Sequence, residues 1–217
     1  MMFPNAYKGV KKIYQAELMM LVATALSLII VLIDYSNAGY GALSALTNTQ
    51  AGTIIALSMV MCLLFIAAFV VMLVGIVSAK KDEITFKKVL YAILLGIGLS
   101  TIGVLFSKTQ SIVTPFVDLC SWFTTYYIIR GICSLAVKME DNEMKLLAEK
   151  ACKIVCITLA ASNLMELFEG YTTVFAAISI IGAILEIAGY CYFLKVLSRS
   201  KTMLARSFST QNNMEPV

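Results

Sequence analysis

The sequence predicts an all-α fold: a polytopic bundle of six transmembrane helices within the membrane, readable as three repeated helical hairpins. Three observations predict it. Of 217 residues, 60% are hydrophobic and 14% are charged, and the mean hydropathy is +0.87, more apolar surface than a water-soluble domain of this size hides. Six segments meet the roughly 20 mainly apolar residues that a spanning helix needs: 13–34, 53–79, 86–107, 112–137, 147–168 and 172–197. Fifteen of the 17 lysines and arginines fall at alternate ends of those segments, the bias that holds basic ends in the cytoplasm.

The first segment follows Lys8, Lys11 and Lys12. Its apolar run is too long for a signal-peptide core and no small-residue cleavage site closes it, so it is expected to stay as a span. The second and sixth segments exceed the minimum length and are expected to tilt. Between the second and third lie Lys80, Lys81, Lys87 and Lys88; between the fourth and fifth, Lys138, Lys145, Lys150 and Lys153; around the end of the sixth, Lys195, Arg199, Lys201 and Arg206. Both termini are therefore expected on the cytoplasmic side of a plasma or inner membrane. Lys108 is the one basic residue in an opposite loop, and Arg130 lies inside a span. The opposite loops comprise a long, nearly uncharged stretch at Tyr35–Gly52 and tight turns near Lys108–Ser111 and Glu169–Tyr171. One domain is expected over 1–206, followed by a disordered polar tail at 207–217, SFSTQNNMEPV.

Segments two, four and six end alike, with VGIVSAKKDE at 74–83, RGICSLAVKMED at 130–141 and AGYCYFLKVLSRS at 188–200, which aligns Gly75, Gly131 and Gly189. The first and third begin alike, and the fifth fits that template poorly. A triplicated hairpin is one reading; the other is that apolar helices with basic ends align by chance.

Gly96, Ser100, Gly103 and Ser107 recur along one face of the third segment. Small residues at this spacing let another helix approach closely in lipid. The role expected is packing within the chain; association with a second copy or another membrane protein is the alternative.

Ionisable groups inside lipid cost roughly 2.5–3.5 kcal/mol at a helix centre on insertion scales, so they lead the functional candidates. Arg130 and Glu186 are expected to lie about 12 Å inside the cytoplasmic end, to face the bundle interior and to pair. The pair would be structural, or would serve coupling or substrate binding. Thr114, Asp118, Ser121 and Thr125 share one face of the fourth segment, and Tyr126, Arg130 and Ser134 another. Thr158, Ser162 and Glu166, with Asn163 beside them, do the same on the fifth. Together these are expected either to line a polar cavity opening outward or to serve interhelical hydrogen bonds and solvated helix ends.

No catalytic residues, cofactor or metal are expected. The chain has no histidine, which removes the commonest general base and metal ligand, and it lacks the motifs of zinc proteases, serine hydrolases and P-loop proteins. Its six cysteines all fall in apolar segments and are expected to be reduced and inert. The basic residues follow the membrane pattern, so nucleic acid is not an expected partner. In size, helix count and orientation the chain resembles the substrate-binding subunits of energy-coupling-factor vitamin transporters. Their Ala-x-x-x-Ala patch on the first helix has its nearest match here in Ala23 with Ser27. The leading expectation is a non-enzymatic membrane component that binds or transports a small molecule, any polar site being formed by the fourth, fifth and sixth segments. The alternative is a structural protein that packs with other membrane proteins.

Overall fold

The computed structural model describes residues 3–38, 48–106, 110–166 and 187–206. Six helices and their turns, with no strand, make up the described residues: α1 Pro4–Ala38, α2 Asn48–Ala79, α3 Thr85–Leu105, α4 Gln110–Lys138, α5 Asn142–Glu166 and α6 over 187–206. Four of them contain stretches long and apolar enough to cross a membrane: Pro4–Ile30, Gly52–Ala79, Thr85–Leu105 and Ile112–Lys138. The fifth and sixth expected spans run into residues 167–186, outside the described residues.

Several helices overrun their expected limits, chiefly at the basic ends. α1 starts at Pro4 rather than 13, α5 at Asn142 rather than 147, and α6 continues to 206 rather than 197. The reason is amphipathicity: a helix with one apolar stripe continues through charged sequence when the charges point outward. Ala6 and Val10 are buried while Lys8 and Lys11 are exposed. On α5, Met144, Ala148, Ala151 and Val155 are buried while Lys150 and Lys153 are exposed.

The chain divides into two compact units, residues 12–75 and residues 1–11 with 76–217. In the first, Ile13, Ala16, Ala23, Ala68 and Met72 are buried, and large apolar side chains such as Leu21, Leu28, Leu63 and Ile66 are exposed.

In the second unit α3 packs against α4, and α4 against α5. The α3–α4 pair is antiparallel with a readable register. A Cβ on Gly131 would lie 2.8 Å from Cε2 of Phe86, one on Gly96 would lie 3.2 Å from Cβ of Cys120, and one on Gly103 would lie 3.5 Å from Cγ1 of Val113. Gly189 brings α6 onto α5 in the same way, a Cβ there falling 3.2 Å from Oγ1 of Thr158. The buried large side chains of this unit, Phe86, Ile128, Ile132, Leu135, Leu197 and Leu204 among them, gather toward the basic end. The opposite reaches of α3 and α4 carry exposed Ile102, Val104, Leu105, Ile112 and Phe116.

The α4–α5 turn uses two end devices. Glu140 adopts a left-handed conformation (φ 58°). Asp141 N–H donates to the Ala136 carbonyl at 3.0 Å and Glu140 N–H to that of Val137 at 3.1 Å, the paired closure of a Schellman motif. Asp141 then caps α5, its Oδ1 accepting Met144 N–H at 2.8 Å.

Candidate functional site: a charged lock at the basic end

The sequence K-K-D-E-I-T turns the chain from α2 into α3. Lys80 and Lys81 are exposed, whereas Glu83 is buried, its side chain only 3% accessible. Oε1 of Glu83 accepts the Thr85 hydroxyl at 2.6 Å and the Thr85 amide at 3.2 Å. Oε2 accepts the Ser134 hydroxyl at 2.9 Å and the Lys138 ammonium at 2.6 Å. Ser134 and Lys138 are one turn apart on α4, so a single carboxylate reads two successive positions of its face. Burial raises the Glu83 pKa, but the bonds from Lys138, Thr85 and Ser134 outweigh burial and hold the group below its usual range. The Lys138 ammonium also lies 5.9 Å from the Phe3 ring centroid.

Asp82 closes a second junction. Its Oδ2 accepts the Ala6 amide at 2.8 Å and its Oδ1 the Asn5 side-chain amide at 3.0 Å. Ala6 belongs to the first turn of α1, where amide groups lack helical partners and a carboxylate is favoured by the helix dipole. Pro4, at the first helical position, has no amide hydrogen to satisfy. The start of α1, the α2–α3 turn and the end of α4 are thus joined by two adjacent acids.

This arrangement ties helix ends together. A carboxylate accepts at about four lone-pair positions, and Glu83 has four donors in place, which leaves it no position for a substrate proton or a cation. Elsewhere, Asp141 of the α4–α5 turn, Glu143 and Met144 of α5, and Arg199, Thr202, Met203 and Arg206 of α6 line a half-open groove of about 400 Å³. A loose exposed ion pair, Arg199 to Glu143 at 3.9 Å, crosses it. Among the described residues no three histidine, cysteine or acidic side chains converge on a point that could hold a metal.

The candidates drawn from the sequence do not assemble there. Arg130 is exposed rather than inward-facing, because it lies on the outward stripe of α4 with Phe116, Phe123 and Val137, each seven residues apart. Glu186 and Ser107 lie outside the described residues, and the side chains of Ser162, Asn163 and Glu166 are not described. Asp118 and Ser121 are exposed toward the far end of α4. The Thr125 hydroxyl reaches the Ser121 carbonyl at 3.5 Å, and Tyr126 stands edge-on to Tyr127 at 5.4 Å. Thr158 is buried, donates to the Ile154 carbonyl at 3.0 Å and faces Gly189. Gly96 and Gly103 face α4, whereas Ser100 is exposed.

Glu83 and Asp82 escape sequence reasoning because they read as counter-charges in a lysine-rich loop. The available signal was an acid two residues before a threonine at a helix start, a local-capping pattern. Nothing local announces that Lys138, 55 residues away, completes the site.

No protein-family model, curated protein or solved structure matches this chain.

Proposed function

We propose that the chain is a non-catalytic, multi-pass integral membrane protein with both termini in the cytoplasm, acting as a packing and interaction component among membrane proteins. The observation that carries this reading is the division of surfaces. Asp82, Glu83 and Lys138 at the basic end hold helix ends together, while the spans present apolar side chains outward on α2, α3 and α4. Counting along the helices supports the membrane placement. α3 from Lys88 to Phe106 and α4 from Ile112 to Arg130 each measure roughly 27 Å at about 1.5 Å per residue, near the roughly 30 Å of a bilayer core. Lys88 lies over Tyr127 on α4 at 5.7 Å, so these two helices carry their cations at one level. On this reading Arg130 stands at the inner boundary of the hydrocarbon, and the packed ends of α4, α5 and α6 stand in the cytoplasm. The shared use of acids in the turns, Asp82 and Glu83 in one and Asp141 in the other, supports the repeated-hairpin reading.

A small-molecule binding or transport component is the second reading. It rests on the polar face of α4, where Asp118 and Ser121 are exposed near the expected outer end. Cysteine accessibility separates the two. In a cysteine-free background, single cysteines at positions 80, 118, 125 and 145 are labelled in oriented vesicles with a water-soluble thiol reagent. The packing reading expects 80 and 145 to react from the cytoplasmic side, 118 from the opposite side, and 125 to be protected. Reaction at 125 would reveal an aqueous path and favour transport. Reaction of 80 and 145 from the outside would reverse the topology and sink the orientation.

A further inference from the structure

Two cations and an aromatic cluster meet on the outward side of α3 and α4. The Lys88 ammonium of α3 lies 5.7 Å from the ring centroid of Tyr127 on α4. Tyr127 stacks on Phe123 at 6.1 Å and meets Tyr126 edge-on. Arg130 follows Tyr127 by three residues and Tyr126 by four, which places it beside both on the helix surface. Lys88 and Arg130 are both exposed, and neither forms an ion pair among the described residues. Of the acids nearby, Glu83 is saturated, Asp82 caps α1, and Glu149 of α5 lies near the same Cys133 and Cys152 as Arg130 without forming an ion pair with it.

Resting on the membrane reading above, we propose that this corner is a binding site for an anionic glycerophospholipid of the cytoplasmic leaflet. The lipid phosphate sits between Lys88 and Arg130, and an acyl chain runs down the outward stripe past Phe123 toward Phe116. Charge complementarity selects this occupant. An exposed guanidinium at the hydrocarbon boundary needs an anion, and its planar fork suits phosphate oxygens. The aromatic rings present polar rims at headgroup depth and apolar faces to the chain. Two cations with no carboxylate paired to either among the described residues favour a lipid of net negative charge over a zwitterionic one.

The chain's one tryptophan, Trp122, makes the test direct. It lies on the same helix as Arg130, about 12 Å toward the bilayer centre, at acyl-chain depth. The full-length protein is reconstituted in mixed bilayers, and quenching of Trp122 by brominated phosphatidylglycerol is compared with quenching by brominated phosphatidylcholine at equal mole fraction. The site predicts an apparent preference of about thirtyfold for the anionic lipid, the scale of two cations beside a surface phosphate. That preference falls to near unity in the Lys88→Gln/Arg130→Gln variant, partway in Lys88→Gln alone, and persists in Lys195→Gln. An equal response to both lipids in the unaltered protein, or a preference that survives both Lys88→Gln and the double variant, overturns the site. Loss of the preference on adding soluble glycerol phosphate assigns the corner to a soluble anion and overturns the lipid. Absence of quenching by either lipid instead removes the membrane reading itself.

Discussion

Glu83 shows how one side chain is made indispensable without becoming reactive. Its four donors come from its own turn and from α4, so truncation orphans groups on both. Glu83→Ala is expected to lower stability by about 2 kcal/mol, read as a fall in thermal midpoint of the detergent-solubilised protein; Lys138, half exposed, recovers part of the loss through water. The pH dependence has a definite sign. The folded pKa lies below the ordinary carboxylate value of 4.5. The stabilisation is therefore complete above that value and disappears as pH falls through the lower folded one. Glu83→Gln should remove this acid-side loss, and an unchanged acid limb would show that other groups govern it. Glu140 is the opposite kind of residue. It bears the strain of a left-handed backbone (φ 58°) where glycine would bear none, so Glu140→Gly is expected to raise stability by about 1 kcal/mol. No outcome below that of the parent protein fits the Schellman closure.

At the scale of elements, glycines set where helices meet. Gly131→Ala would drive a methyl into the fully buried Phe86 ring and is expected to cost about 1–3 kcal/mol. Adding Phe86→Leu should recover part of the loss; simple additivity of the two changes would argue against their contact. The apolar runs and the small-residue spacing of α3 were legible in sequence, since each depends only on residues close along the chain. Helix ends were not. The extension of α1 to Pro4 depends on Ala6 and Val10 finding cover and on Asp82 completing the first turn, conditions set by residues remote in sequence. The surroundings of Arg130 were not legible for a related reason. Arg130 is exposed where the interior was expected, and the register of Phe86 on Gly131 sets it level with the lysines that open α3, while its expected partner Glu186 lies outside the described residues.

For the whole molecule, the proposed membrane reading assigns the stretches 88–106 along α3 and 112–130 along α4 to one slab of lipid, since the two are of equal length. Stability in reconstituted bilayers should peak where the hydrocarbon thickness is near 27 Å and fall in thicker ones, since mismatch costs fractions of a kcal/mol per Å. Thermal unfolding across a series of chain lengths reads this directly, and a flat response would remove the common slab. The long apolar helices were legible from sequence alone, and the lysine distribution is the basis of the proposed orientation. The lock did not share that legibility, because positive charges that mark a membrane face say nothing of the acids that will meet them.

The cap that Asp82 places on α1 also sets a schedule. Ala6 leaves the ribosome 76 residues ahead of the carboxylate that receives its amide. At about 5–20 residues per second, the first turn of α1 waits roughly 4–15 s for its partner. During that interval the amino-terminal residues have no docking place on the α2–α3 turn. Synthesis of the acidic pair supplies that docking place.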